Sequence, residues 1–497
     1  MFKPWQSLLV LLLFFAGFAL LLRILPSSSL QVTPQFALHF PEWSGLFSAP
    51  EPKTDITRIL KAAEAAEKEA EQEAQVETAP QTATKRDSAK RFVRTQQRMA
   101  ARRDEQVGLI TSIQSANKKA LQTFFTALQD LERNPDKKIR VLHYGDSQIE
   151  GDRLTDQLRN RFQAEFGGSG PGLVSFLPLA ASLINRVSGT GSWERYSAGT
   201  GKDKRVEHRN YGPMISFSRF IPYRKLTDTT RAQTAFLNIL TTRSGGKEVM
   251  NYQTIKVFYG GAQRKTWCEF YDGPALMAAD SLNAGGVLNV KEFKAGNGSF
   301  NHRFKFRGKD SPDFYALSLE SDNGILFDNI ALRGSSGTFF HQLNPEQLKQ
   351  FYSYLNVKLI ILQFGGNALP FITNDTLARN YVSWLKGQIN LVKRMAPEAS
   401  ILFVGPADMS VKEGTNYVTH PYLELLRSQL KAMVLASNCA YFDMYDCMGG
   451  RNSMPAWVNE KLAAPDYIHF TPQGARKVAL LLHGALINAY RDFTEQE

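Results

Sequence analysis

The chain has 497 residues, of which 43% are hydrophobic and 21% charged. That balance excludes a wholly disordered chain, and the length exceeds what one compact core takes up, so about two to three domains are expected. Cys268, Cys439 and Cys447 leave one thiol over in any disulfide framework, although Cys439 and Cys447 are free to pair in an oxidising compartment, and no C-x-x-C or Cys/His grouping points to zinc.

In chain order, the first predicted element is Trp5 to Ile24, almost wholly apolar, with Lys3 before it and Arg23 near its end. A run of about 20 apolar residues matches the hydrocarbon thickness of a bilayer. Pro26 and the serines behind it offer no A-x-A cleavage pattern, which favours an uncleaved anchor over a secretory signal. A Pro- and Ser-rich stretch up to Pro52 reads as an extended tether. The Ala/Glu/Lys-rich segment Thr54 to Val76 reads as a solvated helix with few side chains to bury. The basic run Lys85 to Arg103 carries much of the net charge of +12. No zinc-finger, helix-turn-helix or RNP-like motif accompanies it, so a solvated linker is favoured over a nucleic-acid site.

Leu109 to Leu131 shows apolar residues at helical spacing, and Asn134-Pro135-Asp136 stops it. IRVLHYGDS then reads as a strand ending at Gly145, followed by a helix with Leu154, Leu158, Phe162 and Phe166 on one face, the strand–loop–helix unit of an α/β fold. Between about Asn185 and Asn323 the helical period fades. Short β-prone runs such as TAFLNILTT, TIKVFYG, HRFKFRG and FYALSLES alternate with turn residues, as in an all-β sandwich. Beyond it, LIILQFGGNAL and ASILFVGPADM are buried-type strands with a helix between them, and a last helix runs from Gln473 to Tyr490. The domain reading is an anchor over 1–30, a tether over 31–108, an α/β body in two parts over 109–185 and 324–497, and an inserted β-sandwich over 186–323.

Residues suited to nucleophilic catalysis stand at strand ends of this body. Gly145-Asp146-Ser147 closes the first strand, Gly334 to Thr338 follows ILFDNIAL, Gly365-Gly366-Asn367 closes LIILQF, and Asp466-Tyr467-Ile468-His469 precedes the last helix. Ligand sites of open α/β sheets lie at such positions. A serine hydroxyl needs a base to accept its proton, which His469 can be, and Asp466 can hold the other imidazole nitrogen. Ser147 N–H, Gly337 N–H and the Asn367 amide are the candidate oxyanion donors, with Gly334 a nearby rival of Gly337. Trp457 and Tyr467 flank the triad loop, where they either line a sugar site or pack.

These blocks resemble the SGNH (GDSL-like) hydrolase family, whose four blocks supply Ser, Gly, Asn and His and whose last has the form D-x-x-H. The chain departs from the usual pattern in the third block, where Ala368 follows Asn367, and in the long separation of the first two blocks, which the β-rich insert accounts for. The segments GDSQIEGDRLT, GPADM, MGGRNSM and DYIHFTPQGA look like membrane-anchored envelope members from Bacteroidetes-type bacteria, related to esterases of O-acetylated peptidoglycan with a carbohydrate-binding-like β domain.

The resemblance implies a three-layer α/β/α, flavodoxin-like body with a parallel sheet, and a serine esterase with catalytic Ser147, Asp466 and His469. It implies no metal or organic cofactor, and removal of O-acyl, foremost O-acetyl, groups from an envelope glycan such as peptidoglycan. Two alternatives remain: an O-acetyltransferase using the same triad, and a non-catalytic glycan-binding scaffold. Expected partners are the acylated glycan, the membrane through the N-terminal helix and a membrane-bound O-acyltransferase, with no nucleic acid. The expected location is the inner membrane, single-pass, with the body in the periplasm or outside the cell.

Overall fold

The computed structural model describes residues 4–24, 29–33, 36–39, 54–76 and 112–495, apart from 118, 200–202, 224–230, 243–245, 247 and 297. The basic run 85–103 lies outside the described residues.

The body is built on a six-stranded sheet in the order Gly324–Ala331, Lys138–Gly145, Val357–Gln363, Ser400–Val404, Ala440–Phe442 and Ile113–Gln114. The first five strands run parallel and the last, short one is antiparallel. Near-continuous apolar strands such as KLIILQ belong in a parallel sheet covered on both faces. Alternate side chains point to opposite layers. Val141, Leu359 and Ile361 join a core with the helices Gln122–Arg133, Thr155–Phe166 and Pro472–Thr494. Leu142, Ile360 and Leu362 join a second core with the helices Pro345–Tyr354, Asp375–Met395 and Leu423–Ala436. Three layers, α/β/α, result.

The insert is a pair of antiparallel sheets. The inner one contains Asn289–Lys294, Thr254–Gly260, Asp313–Glu320, Ser216–Arg219 and Glu194–Ser197, with Gly172–Val174 added beside Asp313–Glu320. The outer one contains Ala275–Leu282, Thr266–Asp272, Asn301–Gly308, Gln233–Thr241 and Asn185–Thr190. A separate apolar core of Leu237, Ile239, Phe270, Phe304, Phe306 and Phe314 fills the space between them. Phe217, Phe258 and Tyr315 of the inner sheet point the other way, into the body's core beside Phe351. The inner sheet is thereby covered on both sides.

Three expectations change. Leu109 to Leu131 is not one helix: Ile113–Gln114 is the antiparallel edge strand, and the helix begins only at Gln122, because the Asn117 side chain accepts from Lys119 N–H in an intervening turn. The helix Thr57–Val76 is not free in solvent at its start. Ile56, Ile59 and Ala62 are buried in the core that holds the C-terminal helix, and Glu67 pairs with Arg476 at 3.1 Å. Cys439 and Cys447 do not pair; all three cysteines are free and buried.

Residues Pro4–Ile24 form one helix, and its large described side chains, Leu8 to Phe15 among them, are exposed. Several side chains of this helix lie outside the described residues. Among the described residues no helix is long and apolar enough to cross a membrane.

Candidate active site

The strand Lys138–Gly145 delivers the first site residue. At Gly145 a Cβ would lie 2.8 Å from the Ile149 side chain and 3.3 Å from the Gln363 carbonyl, so only glycine lets the chain fold straight into the 3₁₀ turn Ser147–Asp152. Asp146 caps that turn by accepting from Gln148 N–H at 2.9 Å. Beneath it lies a buried polar chain: His143 bonds Gln363 Oε1 at 3.1 Å and Thr155 Oγ1 at 3.0 Å, and Asn329 Nδ2 donates to the Ile149 carbonyl at 3.1 Å. Burial pushes His143 down to about 4, so the ring is neutral and acts as a strut.

The loop before the last helix brings up the other two. Ser147 Oγ donates to His469 Nε2 at 2.8 Å, and His469 Nδ1 donates to Asp466 Oδ2 at 2.8 Å. The second Asp466 oxygen accepts from the Ile468 and His469 amides, each at 3.0 Å. Partial burial works against the Asp466 charge, but these bonds outweigh it and hold the carboxyl below its ordinary value. The tight D-x-x-H turn requires Tyr467 at φ +58°, unusual for a non-glycine residue. Its ring lies flat on Tyr417, with centroids 3.6 Å apart, so the hairpin Ser410–Glu413/Asn416–Thr419 braces the turn.

An open cleft of ≈ 660 Å³ exposes Ser147, His469, Asp466, Asn367 and Gly334 along its walls. Asn367 Nδ2 donates to Asp146 Oδ2 at 2.9 Å and to the Ser335 carbonyl at 3.3 Å. Burial raises Asp146 to about 6, against the amides that bond it. Gly337 does not line the cleft: its N–H donates to Ser335 Oγ at 3.1 Å and its Cα faces the Phe364 ring, which a Cβ would meet at 2.7 Å. The structure places Gly334 there instead, at φ +75° with open space where a Cβ would stand. Trp457 is corrected as well. It is fully buried against Phe470 with Nε1–H donating to the Met448 carbonyl at 2.9 Å, and cannot touch a sugar. Tyr467 is turned onto Tyr417 and does not line the cleft.

Sequence reasoning missed Gln148. Its Nε2 donates to the Ile468 carbonyl at 2.6 Å, and its Oε1 accepts from Phe470 N–H at 3.4 Å. One amide thus grips the backbone on both sides of His469 and ties it to the turn bearing Ser147. Its position next to Ser147 was the only available signal. In the turn that Ser147 opens, Glu150 and Asp152 pair with Arg333 and Arg159. Among the described residues no group of three or more His, Cys, Asp or Glu side chains is arranged to hold a metal.

Residues 280–482 match the GDSL-like Lipase/Acylhydrolase family. The match begins inside the insert and so leaves out the Ser147 block. No curated protein matches the chain. Among solved structures, a peptidoglycan O-acetylesterase is similar at 19% identity and a TM-score of 0.60 over 76% of this chain and 99% of its own, which establishes a shared fold. A family two carbohydrate esterase from Clostridium thermocellum is also similar, at 14% identity and a TM-score of 0.23 over 52% of this chain and 92% of its own. Residues 280–482 are thus similar to a GDSL-like lipase/acylhydrolase domain, and with an alcohol, an imidazole and a carboxylate in hydrogen-bonded series at the strand ends the chain is a carboxylic ester hydrolase.

Proposed function

We propose that the protein removes O-acetyl groups from an envelope glycan such as peptidoglycan, using Ser147 as nucleophile, His469 as base and Asp466 as its orienting acid. The observation that carries this reading is the unbroken series Ser147–His469–Asp466, with both links at 2.8 Å, opening on a cleft of ≈ 660 Å³. Ser147 Oγ attacks the acetyl carbon as its proton passes to His469 Nε2, and Asp466 stabilises the imidazolium. The amide at the start of the Ser147 turn, the Gly334 backbone and Asn367 Nδ2 surround the developing oxyanion. Of the two Asn367 bonds, the 3.3 Å one to the Ser335 carbonyl is the weaker and the one the oxyanion displaces. The sugar oxygen leaves with the His469 proton, and water activated by the same imidazole releases acetate from Ser147. The similarity in fold to a peptidoglycan O-acetylesterase supports the choice of glycan.

The apolar sequence run Trp5 to Ile24, several of whose side chains lie outside the described residues, is read as a membrane anchor that holds this body on the outer side of the cytoplasmic membrane, where acetylated glycans lie. Acetate release from O-acetylated peptidoglycan tests the reading, with labelling of Ser147 by a fluorophosphonate. Full activity in Ser147→Ala would overturn it, and acetyl transfer to added glycan in place of acetate release would make the protein a transferase.

A further inference from the structure

The outer sheet of the insert has a hollow of ≈ 520 Å³ in which Arg264, Lys265, Arg307 and Lys309 surround Trp267. No acidic side chain lines it. The strand Asn301–Gly308 points Arg303, Lys305 and Arg307 outward by simple alternation, and the three differ in what they meet. The Arg303 guanidinium sits 4.5 Å from the Tyr271 ring centroid, and Lys305 pairs with Glu269 at 3.1 Å. Arg307, at the hollow, has no carboxylate partner among the described residues, and neither have Arg264, Lys265 and Lys309. Asp280, which feels the Lys265 charge, is already taken by Lys291.

Trp267 stands directly opposite Arg307 in the strand register. Its Nε1–H donates to Glu269 Oε1 at 3.2 Å, which fixes the indole edge, while 42% of the residue stays exposed. An anchored aromatic ring ringed by unpaired cations suits a ligand with an apolar ring face and carboxylates around it. The inner sheet is the one packed on the body, so this hollow is on the opposite side of the insert from the body.

We propose that the hollow is a second contact for a carboxylate-bearing glycan chain, with a sugar face on Trp267 and carboxylates on Arg264, Lys265, Arg307 and Lys309. The choice of a glycan rests on the esterase reading of the cleft. Trp267 is the one aromatic side chain that lines the hollow among the described residues, which favours a sugar polymer over a nucleic acid, whose successive bases stack on several aromatic side chains.

The test uses the full chain in detergent carrying Ser147→Ala, mixed with insoluble peptidoglycan, the same material with its carboxylates amidated, neutral chitin, and DNA. Binding to intact peptidoglycan weakens at least about tenfold on amidation, in Arg264→Ala/Arg307→Ala and in Trp267→Ala, and falls with added salt. The same hollow substitutions made with Ser147 in place leave hydrolysis of 4-nitrophenyl acetate unchanged. Equal retention on chitin, tighter retention on DNA, or variants that bind as the parent does would each overturn the proposal. A parent chain that fails to hydrolyse 4-nitrophenyl acetate would instead overturn the reading of the cleft, and loss of peptidoglycan binding in the variants would still uphold the hollow.

Discussion

Replacing Gln148 with alanine removes the two bonds that tie His469 to the nucleophile's turn, one at 2.6 Å to the Ile468 carbonyl and one at 3.4 Å from Phe470 N–H. A neutral hydrogen bond contributes about 0.5–1.5 kcal/mol, and the longer one sits at the weak end. Together they amount to about 1–2 kcal/mol of positional restraint on the imidazole. If that restraint is spent mainly on holding Ser147 and His469 at 2.8 Å, kcat falls about 5- to 30-fold. KM for a small ester stays within about twofold, because Gln148 is not needed to hold the acyl group. The assay is steady-state hydrolysis of 4-nitrophenyl acetate across pH, beside a thermal melt. Gln148→Glu is the sharper variant. Its carboxylate cannot donate to Ile468 and puts a negative charge beside the imidazole, so the acid limb of the kcat profile moves to higher pH. A melt lowered in both variants with kcat unchanged would refute the reasoning and leave Gln148 a purely structural residue.

Asn367→Ala removes the proposed oxyanion donor and is expected to cost about 10²- to 10³-fold in kcat, measured with the same ester, with fluorophosphonate labelling slowed in parallel. Gly334→Ala strains a backbone at φ +75° that faces the cleft, whereas Gly337→Ala drives a methyl into Phe364; the first loses activity with a small shift in melting, the second loses stability first. Asp146 is raised from 3.8 to about 6, so between about pH 4 and 6 the folded state keeps a proton that the unfolded chain has released. Stability therefore falls as pH rises through that window, by about 3 kcal/mol in all, and urea melts of Asp146→Asn lack this step while kcat drops because Asn367 loses its acceptor. Ile59→Glu places a charge in the core shared with the C-terminal helix and lowers the melting temperature of the body, an effect absent if residues 54–68 were a free tether.

The α/β layout was legible because its signals are local: apolar runs of strand length, amphipathic helices between them, and four polar strand-end motifs. The positions of Ser147, Asn367, Asp466 and His469 followed from those motifs alone. What was illegible depends on partners far away in the chain. Nothing near Gly337 says that its N–H is taken by Ser335 and that Gly334 holds the cleft wall. Trp457 sits 12 positions before His469 and yet points under the loop, since burying an indole against Phe470 with its N–H bonded to Met448 outweighs leaving it in water. The start of the helix at Thr57 looked too polar to dock, because three small or β-branched side chains, Ile56, Ile59 and Ala62, suffice when the C-terminal helix supplies the rest of the core.

The insert raises the question of how about 190 residues can separate the first two site blocks without disturbing the site. The chain leaves the body after the helix Thr155–Phe166 and returns at Gly324, and these two points touch. Ile325 N–H donates to the Gly167 carbonyl at 3.0 Å, and a Cβ on Gly324 would overlap the Gly168 backbone. Glycine on both sides is what lets the two crossings lie against each other. Arg140, buried in the strand Lys138–Gly145, then pairs with Asp328 on the body side at 3.0 Å and with Glu320 on the insert side. A buried guanidinium left with only one of these carboxylates is costly, so the junction is set by the body's own sheet, and the strand that carries Ser147 is also the one that holds the insert. Arg140→Met together with Glu320→Leu and Asp328→Leu should then leave the insert's separate core folded while loosening its seat on the body, seen as faster proteolysis between residues 167 and 185 with hydrolysis of a small ester retained; loss of that hydrolysis in step with proteolysis would mean that insert and site are one cooperative unit.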